Sequence, residues 1–285
     1  MREGDKVSTA MISKREQNEA YHADTASLSH SMLKVFRDSA ALYHGRFISK
    51  TIPKPEPSAG MKLGTCVHAL LFNEDPSDEF VKGLDCQRRS NADKAAWAEF
   101  EAQHAGKIIL DVDEYDRAHA IAKAVLANDT CRQLLWSAGP VEEPIYWDKS
   151  GKRCKPDKLV HDSAGHPVCI FDGKTCTDPS PAGFQKAMAN FDYHCQAAWY
   201  QEGVKATCDR VLPFYFFAVG TTPPYDVAIY ECSEEALKIG REKNRETVER
   251  IKQCQDSGIW LNVWNLDIRT IDLPRWAQFG EYEGE

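Results

Sequence analysis

The apolar run from Val168 to Phe171, followed at once by the triplet Asp172-Gly173-Lys174, constrains this chain more than any other feature. A short apolar run without polar alternation predicts a β-strand that is buried on both faces. Asp172 at the end of that strand needs a partner, because an unpaired buried carboxylate is costly. A metal ion is one such partner. The run therefore predicts a buried strand that ends in a charged, partnered site.

A predicted hairpin brings a second carboxylate to this strand. Strands are predicted over residues 152–160 and 167–175, and the polar residues 161–166 between them have the composition of a turn. With the turn centred between Ala164 and Gly165, Asp157 lies opposite Asp172, and cross-strand partners are about 5 Å apart. Two carboxylates at that distance can share one cation.

Lys174 completes a reactive set, since it lies two residues beyond Asp172 and projects from the same face of the strand. Two carboxylates and a lysine are the minimum for a Mg²⁺-dependent phosphodiesterase. The alternative is the solvated outer face of a hairpin, which an Asp-x-Lys triplet alone does not exclude. Burial of the strand favours the metal site.

The composition, with 42% hydrophobic and 27% charged residues in a length of 285, is that of an ordinary globular protein. No apolar run approaches the roughly 20 residues that cross a bilayer, and the first residues lack the apolar core of a signal peptide. A cytoplasmic location is therefore expected. The ten cysteines show no Cys-x-x-Cys spacing, which predicts reduced, mostly buried thiols rather than disulfides, zinc or iron–sulfur sites.

The formal net charge of −8 argues against a protein that coats nucleic acid non-specifically. It does not exclude a nuclease, because such an enzyme needs only a locally basic channel. Candidate DNA contacts are Lys155 beside Asp157, and Arg88 with Arg89 in a separate polar segment. Each of these could equally be a solvating surface charge.

The wider pattern predicts a helical N-terminal part, a sheet, a helical pair and a return to the sheet, which indicates an α/β or α+β fold. Residues 1–20 are expected to be a flexible segment, and residues 21–285 a single domain. Helices are predicted near residues 29–47, 61–72, 92–103, 113–127, 179–207 with a break near 190–192, and 233–255, and further strands near 141–147, 212–219 and 225–231.

Two pairs of residues at helical i, i+4 spacing could join the site. Gly64 and His68 share one helix face, where the glycine permits close approach, although a lone histidine on an apolar helix is more often a core residue. Gln196 and Tyr200 form the second pair, on the helix after Lys174. Their amide and phenol could bind backbone phosphates or an attacking water, or could be a simple surface pair.

The order of these motifs, Gly-x-x-x-His, Lys-Pro-Asp, Asp-x-Lys and Gln-x-x-x-Tyr, resembles the RecB-like branch of the PD-(D/E)XK nucleases. Within that branch, the chain looks most similar to the RecE-type exonuclease domains. The resemblance extends over nearly the whole chain, from Tyr21-His22-Ala23 to Leu273-Pro274-Arg275-Trp276-Ala277. Four motifs in the family's order argue against coincidence.

This resemblance implies a PD-(D/E)XK nuclease core, in which a central mixed β-sheet is flanked by helices. It implies Mg²⁺ as cofactor, for which Mn²⁺ can substitute. Family members often carry an apolar residue at the position of Gly173, and little effect is expected because only its carbonyl is needed. The implied site consists of the metal ligands His68, Asp157, Asp172 and the Gly173 carbonyl, the catalytic lysine Lys174, and the DNA-positioning pair Gln196 and Tyr200.

The resemblance also implies an activity, a 5′-to-3′ exonuclease that resects linear double-stranded DNA and leaves 3′ single-stranded tails for recombination by annealing. Such domains work beside a single-strand annealing protein of the RecT type and assemble as ring-shaped tetramers, in a bacterial or phage-infected cell. The alternatives are an endonuclease, a single-strand nuclease, or a DNA-binding recombination scaffold without catalysis. The complete set His68, Asp157, Asp172 and Lys174 argues against the scaffold.

Overall fold

The computed structural model describes residues 14–73, 75–148, 151–262, 268 and 270–273. Its strands are β1 (Phe80–Lys82), β2 (Ile108–Leu110), β3 (Ile145–Trp147), β4 (Lys152–Cys154), β5 (Lys158–His161), β6 (Pro167–Cys176), β7 (Phe214–Gly220) and β8 (Val227–Glu231). Its helices are α1 (Lys14–Ala23), α2 (His30–Asp38), α3 (Ala40–Tyr43), α4 (Ala59–Phe72), α5 (Asn91–Gln103), α6 (Val112–Ala127), α7 (Asp129–Trp136), α8 (Pro181–Asn190), α9 (Tyr193–Cys208) and α10 (Glu234–Ser257). A π-helical turn (His44–Ile48) follows α3, and a 3₁₀ turn (Pro76–Asp78) follows α4.

The central sheet has the strand order β5-β6-β7-β8. β6 is antiparallel to β5 and parallel to β7, and β8 is antiparallel to β7, so the sheet is mixed. Two smaller sheets accompany it, a parallel pair of β1 with β2 and an antiparallel pair of β3 with β4. The predicted class, a mixed sheet flanked by helices with a helical N-terminal part, is confirmed.

Strands β6 and β7 are covered on both faces, because successive side chains of a strand point to opposite sides. On one face, Phe171 and Phe217 pack in a core cluster with α4 and α6. On the other face, Ile170 and Phe216 pack in a second cluster with α8, α9 and α10. Each such side chain contributes roughly 1.5–3 kcal/mol by leaving water. The strand predicted to be buried on both faces is therefore observed.

The helix predicted over residues 29–47 is interrupted, which corrects that prediction. Ser29 begins α2 by accepting a hydrogen bond from the Met32 N–H. Ser39 then takes an extended conformation with φ of −164° and caps α3 through the Leu42 N–H, at 3.1 Å. A serine favours such a cap because its hydroxyl satisfies an N–H that the helix leaves unpaired.

The strand predicted over residues 152–160 is also wrong in one respect, since it divides into β4 and β5 at Lys155-Pro156-Asp157. Proline has no N–H to donate to a ladder, so a strand rarely continues through it. β4 pairs with β3, whereas β5 pairs with β6. The break leaves Asp157 directly before β5, at the point where the two sheets meet.

Several other findings bear on the sequence predictions. All ten cysteines are free thiols, and six of them are buried. Within the described ranges, no helix is both long and apolar enough to span a membrane.

The ends of the chain are described only in part. Residues 1–13 of the expected flexible segment lie outside the described residues, as do residues 274–277 of the C-terminal motif. Residues 14–20 belong to α1. The division into a flexible segment and one domain stays a prediction.

Candidate active site

His68 reaches the site from α4, the helix that packs across the sheet beside β6. Gly64, one turn earlier, permits this packing, because a Cβ added there would lie 3.1 Å from the Thr175 Oγ1. The His68 Nε2 lies 3.0 Å from the Asp157 Oδ1, and its Nδ1 lies 3.4 Å from the Glu142 Oε1. The imidazole is thus held between two carboxylates.

Asp157 and Asp172 are joined by the register of β5 and β6. Lys158 pairs with Phe171 at the end of the ladder, so Asp157, one residue earlier, comes opposite Asp172. The Gly173 N–H donates to the Asp157 Oδ2 at 2.9 Å. The predicted hairpin register is therefore observed, although Asp157 itself lies just outside the strand.

Asp172 is fully buried and is surrounded by polar partners. Its Oδ2 forms an ion pair with the Lys174 Nζ. Its Oδ1 accepts a hydrogen bond from the Gln196 Nε2 on α9, at 3.4 Å. The Lys174 ammonium also lies 5.1 Å from the centre of the Tyr193 ring, a cation–π contact. Protein groups, rather than water, therefore satisfy this buried carboxylate.

The pKa shifts follow from this arrangement. Burial and the neighbouring Asp157 charge raise the pKa of Asp172, because both disfavour a second negative charge. Burial opposes ionisation of Asp157 as well, but the His68 and Lys174 charges hold the pKa of that carboxyl below its ordinary value. Although burial favours the neutral amine, the Asp172 and Asp157 carboxylates raise the pKa of Lys174. The two carboxylates thus favour the ammonium form of Lys174 in the described structure.

A cavity of about 620 Å³ lies at these groups, and the fully buried Asp172 reaches it only through its ion pair with Lys174. His68, Asp157 and Lys174 lie on its wall together with Gly173 and Glu142. A further group of lining residues is polar or basic and comes from α1 and the segment after the π-helical turn, namely Asn18, His22 and Lys54.

A family model described as a PDDEXK-like domain of unknown function (DUF3799) matches residues 29–261 of the chain. The chain belongs to this PDDEXK-like family. The resemblance to the PD-(D/E)XK nucleases is thereby confirmed at the level of the superfamily. No curated protein matches the chain.

Two solved structures are similar to the PDDEXK-like chain. A crystal structure of a candidate exonuclease from Eubacterium rectale superposes with a TM-score of 0.62 at 14% identity, over 93% of this chain and 96% of that one. An alkaline exonuclease from Laribacter hongkongensis aligns over 69% of this chain and 92% of its own, with a TM-score of 0.30 and 13% identity. The first likeness shows a shared fold, and the second is too weak to support an argument.

The donors present in the PDDEXK-like chain fit a divalent metal ion, on which enzymes of this superfamily generally depend. His68 and the two aspartates offer an imidazole nitrogen and carboxylate oxygens, which suit Mg²⁺ or Mn²⁺. In the described structure, the charges of the aspartates are balanced by His68 and Lys174. A bound cation would take over that balance for Asp157 and Asp172.

The residues predicted to contact DNA fall into two groups. Gln196, Tyr200 and Lys155 lie at or beside the site. Gln196 donates to Asp172, and Tyr200 lies one turn farther along α9. Burial raises the pKa of the Tyr200 phenol far above its ordinary value, so this group stays neutral. Arg88 and Arg89 do not line the cavity, and Arg88 pairs with Glu101 and lies over the Trp97 ring.

Lys155 is more buried than a DNA contact would require. Its Nζ lies 2.6 Å from the Asn18 Oδ1 and 3.3 Å from the Glu142 Oε1. Glu142 itself was missed by the sequence reasoning, which treated residues 141–147 as a strand. The acidic pair Glu142-Glu143 before the apolar residues of β3 is the signal that could have indicated it.

Proposed function

We propose that this protein is a Mg²⁺-dependent deoxyribonuclease that resects linear double-stranded DNA from its 5′ ends and leaves 3′ single-stranded tails for recombination by annealing. The observation that carries the proposal is the convergence of His68, Asp157 and Lys174 on one cavity in a PDDEXK-like fold, with the fully buried Asp172 paired to Lys174. The direction of degradation and the duplex substrate come from the RecE-type resemblance. Mn²⁺ is expected to substitute for Mg²⁺.

In the proposed mechanism, His68, Asp157, Asp172 and the Gly173 carbonyl hold the cation. When bound, a divalent cation polarises the scissile phosphate and makes a ligated water more acidic. In the described structure, the Asp172 and Asp157 carboxylates raise the pKa of Lys174 and so favour its ammonium form. Lys174 would orient the attacking water and offset the negative charge that develops on the phosphate.

Gln196 and Tyr200 would support this chemistry from α9. Gln196 donates to Asp172 and so limits the rotation of that carboxylate, at a distance of 3.4 Å. The neutral phenol of Tyr200 adds no charge that would repel a phosphate. Lys155 supplies positive charge on the cavity wall, and Arg88 and Arg89 would contact DNA farther from the cleaved bond.

The whole protein is proposed to act as one PD-(D/E)XK domain over residues 21–285, in the cytoplasm of a bacterial or phage-infected cell. Its proposed partners are duplex DNA ends and a single-strand annealing protein of the RecT type. The proposed assembly is a ring-shaped tetramer, which would let an acidic chain bind DNA if basic residues line the ring. Light scattering after gel filtration measures the assembly directly.

The decisive experiment incubates the protein and Mg²⁺ with a linear duplex that carries different fluorophores at the 5′ and 3′ ends of one strand. We expect the 5′ label to be released first while the 3′ label stays on long products. Covalently closed plasmid should remain intact, and EDTA should stop the reaction. Early release of the 3′ label, or cleavage of the plasmid, would contradict the proposed activity.

A matched pair of variants assigns that activity to the site. Asp172→Asn removes the buried charge with little change in shape and should abolish cleavage while the far-ultraviolet spectrum is kept. Asp256→Asn makes the same chemical change at an exposed position near the end of α10 and should leave the rate unchanged. Full Mg²⁺-dependent activity in Asp172→Asn would remove Asp172 from the ligand set.

A further inference from the structure

The backbone of residues 138–142 is attached to β5 and delivers Glu142 to the site. The Leu159 N–H donates to the Pro140 carbonyl at 3.0 Å, and the Glu142 N–H donates to the Asp157 carbonyl at 3.1 Å. Glu142 has a φ of +52°, in the left-handed region that a glutamate rarely adopts. Such a conformation persists only where surrounding contacts hold it. The position of Glu142 relative to Asp157 is therefore fixed by the main chain.

The Glu142 side chain is directed inward, with only 9% of it exposed. Its Oε1 lies 3.4 Å from the His68 Nδ1 and 3.3 Å from the Lys155 Nζ, and the Asn18 Oδ1 accepts from the same ammonium. A buried carboxylate is costly unless it is paired. Lys155 supplies a counter-charge, and Asn18 holds Lys155. This chain of contacts keeps Glu142 at the edge of the imidazole.

The two ring nitrogens of His68 face different partners. Nε2 faces Asp157, and Nδ1 faces Glu142 on another side of the ring. A histidine binds a cation through the lone pair of a neutral nitrogen, so the nitrogen that faces the metal must carry no proton. The remaining proton then has to be on Nδ1, where an acceptor stabilises it. Metal-binding histidines generally donate their other N–H to a carboxylate or carbonyl.

We propose that Glu142 is the positioning residue of the metal site, and that it holds His68 as the Nδ1–H tautomer with Nε2 directed at the cation. Glu142 acts through His68 and is not itself a ligand, because it lies against the nitrogen that faces away from Asp157. The inference rests on the proposed function only in that it requires a cation between His68 and the two aspartates. It does not depend on the substrate or on the polarity of cleavage.

Affinity for Mn²⁺, measured by isothermal titration calorimetry without DNA, tests the role separately from activity. Glu142→Leu removes the acceptor and should weaken Mn²⁺ binding by roughly 100-fold, the upper end of the effect of losing such a partner. Glu142→Gln keeps an acceptor oxygen but loses the charge, and should weaken binding by about 10-fold. The control Glu143→Gln changes the exposed neighbour and should bind as the parent does.

The tautomer of His68 supplies a readout that a merely structural role would not change. In the parent protein with Mg²⁺ and ¹⁵N-labelled histidine, long-range ¹H–¹⁵N spectra should show His68 as the Nδ1–H form, assigned by loss of the signal in His68→Gln. Glu142→Leu should shift the signal toward a mixture of tautomers. If Glu142→Leu does not fold, the near-isosteric Glu142→Gln decides the question by its Mn²⁺ affinity.

The possible failures can be told apart. Parent protein that binds Mn²⁺, combined with unchanged affinity and an unchanged His68 tautomer in a folded Glu142 variant, would overturn the role of Glu142 and leave the proposed function intact. A parent protein that binds neither Mn²⁺ nor Mg²⁺ would overturn the proposed metal-dependent function and this inference together.

Discussion

At the scale of single residues, Gly173 is constrained by an aromatic ring from the neighbouring strand β7. A Cβ added at Gly173 would collide with the Phe217 ring, which packs against Phe171 at a centroid distance of 5.0 Å. The Gly173 N–H also bonds to Asp157, so displacement of this residue would disturb a predicted metal ligand. An apolar side chain, which the RecE-type resemblance implies at this position, would not fit beside Phe217.

We therefore predict that Gly173→Ala lowers the free energy of unfolding by about 1–3 kcal/mol, the usual cost of overpacking a core. The double variant Gly173→Ala with Phe217→Leu should lose less free energy of unfolding than the two single variants together, because the smaller side chain at 217 makes room for the new Cβ. Urea denaturation of the four proteins measures this coupling. Gly60→Ala serves as control, since nothing lies within 4 Å of a Cβ there, and strictly additive losses would contradict the predicted contact.

Substitution of Lys174 should affect metal binding and catalysis differently. Its ammonium is paired with Asp172 in the described structure, where a bound cation would compete with it. Lys174→Met should therefore keep or slightly raise the affinity for Mn²⁺, yet slow DNA hydrolysis by about 100- to 1,000-fold, as losses of electrostatic stabilisation generally do. Calorimetry and a single-turnover cleavage assay measure the two effects.

The control for Lys174→Met is a lysine that lies outside the site. Lys186→Met, at an exposed position on α8, makes the same change and should alter neither quantity. A Lys174→Met protein that cleaves DNA at nearly the parent rate would remove the catalytic role assigned to Lys174.

At the scale of elements, Arg153 on β4 fastens α1 to the rest of the molecule. Its guanidinium is buried and donates to the carbonyls of Tyr21, Asp24 and Ser27. The same guanidinium lies 4.3 Å from the centre of the Tyr21 ring. Because α1 contributes Asn18 and His22 to the cavity wall, this one side chain connects helix docking to the site.

We predict that Arg153→Met destabilises the protein by about 3 kcal/mol or more, since charged hydrogen bonds contribute roughly 1.5–3 kcal/mol each and the carbonyls lose their donor. Hydrogen exchange of residues 14–23 should become much faster, whereas the amides of β6 and β7 should stay protected. Arg245→Met, on the exposed face of α10, is the control and should change neither region. Undiminished protection of α1 in Arg153→Met would show that other contacts dock it.

The hairpin illustrates how far local pattern predicts structure. The pairing of β5 with β6 follows from the polar turn and the apolar run, because a strand with one correct register buries its apolar side chains. The division of the predicted strand 152–160 at Pro156 could also have been predicted from the sequence, since proline interrupts a ladder. The left-handed conformation of Glu142 could not be predicted, because a glutamate has no local preference for it. It depends on tertiary hydrogen bonds, from the Glu142 N–H to Asp157 and from the Leu159 N–H to Pro140. Pattern thus indicated Asp157 and Asp172 but missed Glu142, the second carboxylate that contacts His68.

Short elements show the same limit. The strands β1 and β2 have three residues each, too few for any periodicity, and pair with each other across α5. Helix α7 begins directly after α6, with Asn128 as its N-cap, so little in the sequence separates the two helices. By contrast, the break between α8 and α9 was predicted, and Asp192 there has a φ of +59°. Long amphipathic segments are therefore read from sequence more readily than short paired ones.

At the scale of the whole molecule, the candidate site lies at β6, between the two core clusters that cover the faces of this strand. His68 stands on α4, which belongs to the cluster with Phe171, while Gln196 stands on α9, which belongs to the cluster with Ile170. Asp172 and Asp157 lie between these two layers on β6 and at the start of β5. A cation held by His68, Asp157 and Asp172 would cross-link α4, β6 and the segment directly before β5, because each ligand belongs to a different element.

Divalent cations should therefore stabilise the fold as well as serve catalysis. A ligand that binds only the native state adds about 2.7 kcal/mol at a concentration 100 times its dissociation constant. For a protein of this size, each kcal/mol corresponds to a rise of roughly 2–4 °C in Tm, so saturating Mg²⁺ or Mn²⁺ should raise the Tm by about 5 °C or more. Scanning fluorimetry over a titration of MgCl₂ measures this rise, with KCl at matched ionic strength as control. Asp172→Asn should lose the rise whatever its own starting Tm, because it lacks a ligand that the cation needs; an equal rise in both proteins would locate the stabilising cation elsewhere.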